Sequence, residues 1–378
     1  MKADLKEVAY EQFEIKYGKW NQRLFEQLNI ELNLAKSRRM TNQIILTIEL
    51  VEYFRKNQIV YHAAGATASS FLFYILGISK TNPLSPHYYC PNCNHIEFDS
   101  SVLDGFDLPE RRCSCGTLMF GDGHNIDSIN FWGQKFNNEW HNIWIAVSSR
   151  GFNECFSFLL NHPLIKGKST YRWFNDNEVR VGELLLLKSD ALDNFEPTQI
   201  IMSNEKIKQF AFDSYVSDYS YAISDQIVES WFRYDYMPET FHDAMSWYGI
   251  SHGTWNFDNK NRPVTKLSKI QDVVNEQEAL RIGDMALEMK TLFCEIPTFY
   301  DDVYQLLIKS GVEKDKAFEI ARKAHYGRAD EKEIFKYTQN RELSQWIAGG
   351  VYMFPKAHAL EFFLTLYGCR LRETPNHK

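Results

Sequence analysis

Apolar residues in the first 57 positions recur at three- and four-residue spacing, which places them on one face of a helix. Two such series occur, made of Leu24, Leu28, Leu32, Ile44, Ile45, Ile48, Val51 and Phe54. From residue 62 the pattern changes to the small, polar sequence HAAGATASS. This stretch predicts a loop that leads into a helix beginning near Ala68.

The middle of the chain alternates between turn-forming and strand-forming patterns. Residues 81–133 are rich in Pro and Gly and contain four Cys, so this segment has few aliphatic side chains for a core of its own. Residues 141–148 (HNIWIAVS) predict a central strand, because apolar side chains stand at both parities. Residues 178–188 (EVRVGELLLLK) predict a second strand, although the run Leu184–Leu187 is equally compatible with the start of a helix.

Beyond residue 200 the pattern is mainly helical. Residues 302–310 predict a helix that ends at Gly311, and residues 312–325 predict the next one, with small apolar residues on one stripe. Pro355 stands where a first helical turn accepts it, and residues 356–372 are expected to follow as a helix.

Composition and charge narrow the class of protein. The chain has 378 residues, with 44% apolar and 24% charged residues, which are ordinary values for a globular protein. A net charge of −7 disfavours indiscriminate binding to nucleic acid but leaves room for a local basic groove. Residues 1–10 are charged and have no apolar core of the signal-peptide type, so no signal peptide is expected, and apolar stretches such as residues 71–78 are too short to span a membrane. We therefore expect a cytoplasmic protein without a membrane segment.

Two close cysteine pairs predict a zinc site. Cys90 and Cys93 are separated by two residues, Cys113 and Cys115 by one, and the pairs stand in a segment rich in turns. Four thiolates satisfy tetrahedral zinc and leave no open position, so the expected role is structural. Because the second pair is tighter than usual, a histidine remains a possible substitute for one ligand; the candidates are His87, His95 and His124.

Several motifs resemble one polymerase family in sequence and in order. They are NPLSPHYYCPNC (82–93), GFDLP (105–109), DGHNI (122–126), FWG (131–133), GISHGT (249–254) and YMFPKAHA (352–359). Over about residues 40–373 the chain resembles the alpha subunit of PolC-type DNA polymerase III, the replicative polymerase of Gram-positive bacteria. The resemblance implies a shortened relative of that family.

The resemblance also implies an α+β fold with a palm of the polymerase-beta type. We expect a helical N-terminal and palm-entry segment at residues 1–80 and a zinc module at residues 81–135. A reduced palm-like sheet would occupy residues 136–200, and a mainly helical, fingers-like domain would occupy residues 201–378.

The carboxylates that bind the two catalytic metal ions in this family are missing from the matching positions. The family's PDIDLNFS strand aligns with residues 141–148, where Asn142 and Trp144 replace two aspartates. A weaker register over residues 125–131 keeps Asp127 but lacks its acidic partner. Arg172 stands where the third aspartate is expected. A two-metal mechanism needs carboxylates that bridge both ions.

The residues that resemble phosphate contacts are only partly preserved. The family's GSRGSVGSS loop aligns with residues 62–70, which keep Ser69 and Ser70 but have Ala64 in place of the arginine. A helix start can bind an anion, although a plain helix start capped by Thr67 or Ser69 fits the sequence equally well. Four further residues match family motifs and are candidates for binding nucleic acid or phosphate. For Lys356 and His358 the alternative is a packed helix start. For Ser251 and His252 the alternative is a turn held by hydrogen bonds.

These observations predict a catalytically inactive polymerase relative with structural zinc and no catalytic residue. Its expected partner is DNA, as primer–template or single strand, or a replisome protein, in a regulatory or competitor role. The alternative is an active, Mg²⁺-dependent DNA polymerase or nucleotidyltransferase that uses displaced carboxylates, for which the candidates are Asp122, Asp127, Glu183 and Asp190. The oligomeric state stays open.

Overall fold

A computed structural model describes residues 4–18, 21–134, 142–165, 171–175, 177–198, 203–213, 239–249, 297–349 and 352–371. The chain divides into two compact units. The first comprises residues 1–207 and 360–378, and the second comprises residues 208–359. The division joins the last residues of the chain to its first half. The domain boundaries expected from the sequence stay a prediction.

Three helices open the first unit, and the apolar spacing predicted the second and the third. They are α1 (Leu5–Tyr17), α2 (Gln22–Ser37) and α3 (Thr41–Lys56). Asp4 and Asn21 cap the first two, because their side chains accept hydrogen bonds from amides in the first turn. The predicted apolar stripes are mostly buried, with Ile45 and Ile48 only partly covered. The stripe of α2 also carries one charged residue, Glu31, which is fully buried.

A five-stranded mixed sheet forms the centre of the first unit, in the order β1-β5-β8-β7-β6. The strands are β1 (Tyr61–Ala64), β5 (Ile143–Ser148), β6 (Tyr171–Asn175), β7 (Glu178–Val181) and β8 (Leu184–Ser189). β5 pairs antiparallel with β1 and parallel with β8, and helix α6 (Ser149–Asn161) follows β5 in sequence. The mixed α+β fold class is therefore confirmed.

Two details of this sheet differ from the sequence prediction. Residues 61–64 form a strand rather than part of a loop, because they pair with the strongly strand-forming β5 despite their small side chains. Residues 178–188 fold into the hairpin β7–β8 around Gly182, which has a φ of 57°. The helical alternative for Leu184–Leu187 was wrong, since these residues pair with β5 on one side and β7 on the other.

The cysteine-rich segment is built on a small antiparallel sheet of order β3-β2-β4. Its strands are β2 (His87–Tyr89), β3 (Ile96–Phe98) and β4 (Phe120–Asp122). A 3₁₀ turn (Gly65–Ser69) and the short helix α4 (Phe71–Ile75) precede this segment, and α5 (Ile129–Trp132) follows it. The cluster of buried residues beneath the sheet contains only Tyr88, Cys90, Leu108, Cys113 and Met119.

Helices α7 (Asn204–Asp213) and α13 (Lys356–Tyr367) each have residues in both units. The sequence pattern predicted that the last helix runs to residue 372, but it ends at Tyr367. Cys369–Leu371 forms β10, which pairs antiparallel with β9 (Phe195–Pro197). The strand partner lies more than 170 residues away in sequence, so the local pattern did not indicate it.

The described part of the second unit is helical. It contains α8 (Phe241–Gly249), α9 (Tyr300–Lys309), α10 (Lys314–His325), α11 (Glu331–Thr338) and α12 (Arg341–Gly349). α9 and α10 confirm the two helices predicted around Gly311, which has a φ of 81° and ends the turn between them. None of the helices in the described ranges of either unit combines the length and apolar content that crossing a membrane requires.

Candidate functional site

Two tight turns bring the four predicted cysteines together. In the first, Asn94 adopts a φ of 57° and its amide donates to the Cys90 carbonyl at 2.9 Å. In the second, Gly116 has a φ of 85° and donates to the Cys113 carbonyl at 2.8 Å. Each turn therefore presents two sulfurs from one bend of the backbone. Gly116 is free to adopt this conformation because it lacks a Cβ atom.

The sulfur geometry fits a tetrahedral metal ion. The four Sγ atoms lie within 4.8 Å of one another, with Cys90–Cys115 and Cys93–Cys113 at 3.5 Å. Zinc–sulfur bonds of about 2.3 Å place the sulfurs of a tetrahedron roughly 3.8 Å apart, so the observed spacing brackets the required value. Cys90, Cys93, Cys113 and Cys115 can therefore hold a metal ion such as zinc.

Hydrogen bonds favour the thiolate form that a metal requires at two of the four cysteines. The backbone amide of Cys115 lowers the pKa of the Cys113 thiol. Hydrogen bonds with Thr117 lower the pKa of Cys115 to about 5. At Cys93 the His95 amide lowers the thiol pKa, but hydrogen bonds with the Cys113 and Cys90 sulfurs outweigh it and raise the pKa to about 12. The three candidate histidines do not join the cluster in the described structure; instead, His124 contacts Asp104 at 3.0 Å and His87 contacts the Ser85 carbonyl at 2.8 Å.

The loop that resembles a nucleotide-binding loop meets an internal carboxylate. Glu31 accepts hydrogen bonds from the Ser70 hydroxyl at 2.5 Å and from the amides of Phe71 and Leu72 at 3.2 and 3.0 Å. The Trp132 indole donates to the same carboxylate at 2.9 Å. Burial raises the pKa of Glu31. The amides at the start of α4 are therefore directed at a side chain of the protein itself.

Ser69 and Ser70 are both buried, with 0% exposure. Ser70 caps α4, because its side chain accepts a hydrogen bond from the Phe73 amide at 3.3 Å. The sequence pattern predicted Thr67 or Ser69 as the possible cap of this helix, but the residue that caps it is Ser70. Thr67 instead accepts a hydrogen bond from the Trp144 amide at 2.8 Å. Phosphate binding by these serines stays a prediction.

Trp144, which the sequence resemblance aligns with a family aspartate, stands on β5 and lies against the same loop. Its indole carbons come within 3.3–3.9 Å of the point where a Cβ would stand on Gly65, so the ring lies directly on the glycine backbone. Gly65 also has a φ of 57°, which disfavours any other residue there. The indole is 37% exposed. The second substituted position, Asn142, accepts a hydrogen bond from the Arg180 guanidinium at 2.9 Å.

The acidic candidates for a displaced metal site do not converge. Glu183 lies in the β7–β8 turn, whereas Asp190 follows the opposite end of β8, about 23 Å away at roughly 3.3 Å per residue. Asp122 accepts hydrogen bonds from Tyr74 at 2.9 Å and Asn82 at 2.7 Å. Asp127 accepts one from the Ile129 amide at 3.0 Å. Among the described residues, the four cysteines are the one group arranged to hold a metal ion.

The candidates in the fingers-like motif are placed as follows. Lys356 begins α13 with 3% exposure, and its backbone amide donates to Asp301 at 2.8 Å. Burial raises the pKa of Asp301 to about 7. His358 is half-buried, with its ring 5.1 Å from that of Phe354. Ser251 and His252 lie outside the described residues.

Two buried carboxylates with structural roles were missed by the sequence analysis. Glu31 carried a recognisable signal, since an acid on the apolar stripe of α2 must find partners. Glu361 accepts hydrogen bonds from the Ser79 hydroxyl at 2.9 Å and the amides of Lys80 and Thr81 at 2.7 and 3.0 Å. These partners lie about 280 residues away along the chain, so no local pattern pointed to them.

Comparison with known proteins defines the class to which the N-terminal part belongs. Residues 3–125 match the model of the bacterial DNA polymerase III alpha NTPase domain, which includes α1–α4 and all four cysteines. The matched residues therefore include both the four-cysteine cluster and the loop at residues 62–70, whose end contacts Glu31.

The curated relatives are PolC-type enzymes. The DNA polymerase III PolC-type of Streptococcus agalactiae is 41% identical over 87 residues, which is 22% of this chain and 6% of that protein. The Bacillus subtilis protein of the same name is 32% identical over 136 residues, 35% of this chain and 10% of that protein. The Streptococcus suis protein is 47% identical over 72 residues, or 18% and 5%. This chain is thus a relative of PolC-type DNA polymerase III, and each match spans a tenth or less of the curated relative.

Proposed function

We propose that this chain is a catalytically inactive relative of the PolC-type polymerase that binds nucleic acid or a replisome component. In this role it would act as a regulator or competitor of replication. The five-stranded sheet would be the remnant of the palm, the described helices of the second unit would correspond to fingers, and the four cysteines would hold structural zinc. The family relationship and the geometry of the four-cysteine cluster support this assignment.

The observation that carries the proposal is the chemistry at the two substituted positions of β5. A metal pair needs several carboxylate oxygens, but Asn142 and Trp144 supply none. Asn142 instead accepts a hydrogen bond from Arg180. Glu183 lies 3.9 Å from this guanidinium and offsets part of its charge, but the pair supplies a single carboxylate beside a positive group that repels a divalent cation. The Trp144 ring covers the backbone of Gly65 in the adjacent loop. The positive charge of Arg180 and the bulk of the Trp144 ring therefore both oppose binding of a metal pair at this end of β5.

The same face offers groups suited to a nucleic-acid strand. The sheet register aligns Trp144, Leu185 and Arg180 across neighbouring strands, so all three belong to one face. An exposed indole can stack on a base, and a guanidinium can pair with phosphate. In the proposed role, Trp144 and Arg180 would therefore contact the strand.

The alternative is an active DNA polymerase or nucleotidyltransferase with displaced carboxylates and Mg²⁺. Among the described residues, no three of its candidates, Asp122, Asp127, Glu183 and Asp190, form a group that could hold a metal ion, and two of them cap or bridge local groups. The lack of an acidic cluster among these candidates favours the proposal of an inactive relative. The alternative predicts activity that depends on at least one of these four residues.

Primer extension separates the two proposals. The purified chain is incubated with a labelled primer–template, all four nucleotides and either Mg²⁺ or Mn²⁺. We expect no incorporation above a control without protein. Incorporation that disappears in Asp127→Asn or Asp122→Asn would establish the alternative and end the proposal of an inactive relative.

Fluorescence anisotropy with the same primer–template and with a single strand tests the binding role. We expect binding that Arg180→Gln weakens about tenfold, the loss typical of a charge-assisted hydrogen bond. Lys332→Gln, which removes an exposed positive charge on α11, is the charge-matched control. Absence of binding to either DNA would leave a replisome protein as the proposed partner, to be tested by capture of purified replisome subunits.

A further inference from the structure

A cleft of about 530 Å³ opens in the first unit, away from β5 residues Asn142 and Trp144. It lies between the end of α3, strand β1 and the β9–β10 pair. Much of its wall is apolar, formed by Phe54, Ile59, Val60, Tyr61 and Pro197. Its volume is within the range of sites for small molecules, roughly 300–1,000 Å³.

The charged residues that line this cleft are both positive. Lys80 and Arg55 line it, and its lining residues include no Asp or Glu. The Lys80 ammonium donates to the Tyr61 carbonyl at 3.1 Å and lies 4.4 Å from the centre of the Tyr61 ring. The Arg55 guanidinium donates to the Gly77 carbonyl at 2.6 Å. These contacts fix both side chains, and each cation has more donors than its carbonyl contact uses.

The charge balance within the cleft favours an anion. Glu361 lies 3.7 Å from the Lys80 ammonium, but its carboxylate is fully buried and also accepts the amides of residues 80 and 81. Burial raises the pKa of Cys369 to about 11, so this lining thiol is neutral at pH 7. The lining residues themselves therefore carry two positive charges, of which the carboxylate behind Lys80 offsets one, so the charge of Arg55 dominates the cleft.

We propose that this cleft binds a small molecule with a compact apolar body and one anionic group, either a carboxylate or a phosphate. The apolar walls take the body, while Arg55 and Lys80 pair with the anion. Burial of an apolar body of this size is favourable, and a guanidinium matches both anion geometries. The proposal does not depend on polymerase ancestry or on nucleic-acid binding.

Isothermal titration calorimetry of the full chain tests this site with three probes that share a phenyl ring. They are 3-phenylpropionate, phenyl phosphate and the neutral 3-phenylpropanol. We expect at least one anion to bind with a dissociation constant below about 1 mM, and the alcohol to bind at least tenfold more weakly. The tighter of the two anions identifies the preferred group.

Two variants locate the binding event. Arg55→Gln should weaken the anion at least about tenfold, whereas Lys56→Gln, the exposed neighbour outside the cleft, should leave it unchanged. Gly368→Leu should abolish binding by filling the cleft. A Cβ at Gly368 would meet its nearest atoms, the carbonyl oxygens of Leu364 and Thr365, at 3.5 Å, an ordinary contact, and circular dichroism checks that the leucine variant folds.

Three results would overturn the proposal. One is that neither anion binds at about 5 mM, well above the expected dissociation constant. Another is that the alcohol binds as tightly as the anions, which would make the cations irrelevant. The third is binding that persists in Gly368→Leu when circular dichroism shows that variant to be folded.

Discussion

The carboxylate of Glu31, on the buried stripe of α2, accepts hydrogen bonds from several parts of the structure. It accepts hydrogen bonds from the Ser70 hydroxyl and the Leu72 amide at the start of α4, and from the Trp132 indole of α5. Replacing it with alanine would leave these buried donors without an acceptor, which costs about 3 kcal/mol or more of unfolding free energy. We expect Glu31→Gln to lose less, because one oxygen remains.

Urea denaturation checks this prediction. Glu26→Ala on the same helix is the matched control, because that side chain is exposed and its removal should change the unfolding free energy by less than about 0.5 kcal/mol. If Glu31→Ala and Glu26→Ala were equally stable, the hydrogen bonds to Glu31 would contribute nothing.

Asp301 provides a pH-dependent prediction. Burial raises its pKa from 3.8 to about 7, while the Lys356 amide and ammonium oppose the rise and Asp302 adds to it. Because the folded pKa exceeds the unfolded one, the stabilising contribution is complete below about pH 4 and is lost as the pH rises through 7. The neutral variant Asp301→Asn lacks this loss.

We therefore expect the melting temperature of Asp301→Asn to improve relative to the wild type between about pH 5 and pH 8, the window that spans the raised pKa. Differential scanning calorimetry of both proteins at the two pH values measures the change. Asp315→Asn, at a half-buried position on α10, is the control for general charge effects. A difference between wild type and Asp301→Asn that stays constant with pH would show that Asp301 titrates normally.

At the scale of single residues, the sequence predicts what depends on local spacing. The four cysteines come together as predicted because each pair is brought together by one turn, and the turns are encoded by Asn94 and Gly116. Glu361 is the opposite case. Its hydrogen-bond donors at residues 79–81 become neighbours only through the tertiary fold.

At the scale of elements, we expect the folding of the cysteine-rich segment to depend on a metal ion held by its four cysteines. The hydrophobic cluster around Tyr88 has five buried members, two of which are cysteines of the four-cysteine cluster, so this cluster by itself contributes little hydrophobic stabilisation. We expect about one zinc per chain in the wild type and much less in Cys113→Ser. Removal of the metal should increase amide exchange across β2, β3 and β4, since metal binding and folding of such modules are linked.

Colorimetric zinc release and hydrogen–deuterium exchange measure these two quantities. Cys155→Ala serves as the control, because Cys155 is buried in α6 and does not belong to the cluster. Full protection of the three strands after complete removal of zinc would show that the module folds without the metal.

Strand identity was the least predictable property of the elements. The run Leu184–Leu187 has no periodicity that separates strand from helix, and its pairing with β5 and β7 decides the outcome. The same reason explains the strands at residues 61–64 and 369–371. Each pairs with a strand that is distant in sequence. The helices needed no such partner, so α2, α3 and α10 were predicted from their apolar stripes, and α9 from its end at Gly311.

At the scale of the whole molecule, the net charge of −7 limits how any nucleic acid can bind. An acidic protein repels a polyanion at long range, so binding must rest on a few local positive groups and on stacking. If Arg180 and one or two neighbouring cations contact phosphate, about two or three counterions are released from a single strand. The slope of log K against log salt should then be about −1.4 to −2.1.

Anisotropy titrations of single-stranded DNA from about 50 to 300 mM salt measure this slope. Arg180→Gln should reduce its magnitude by about 0.7, because one phosphate contact is lost, while Lys332→Gln should leave it unchanged. A slope steeper than about −5 would require a long basic groove and would contradict the small contact inferred from the face that carries Trp144. A slope near zero in the wild type would assign the affinity to stacking alone and remove Arg180 from the interface.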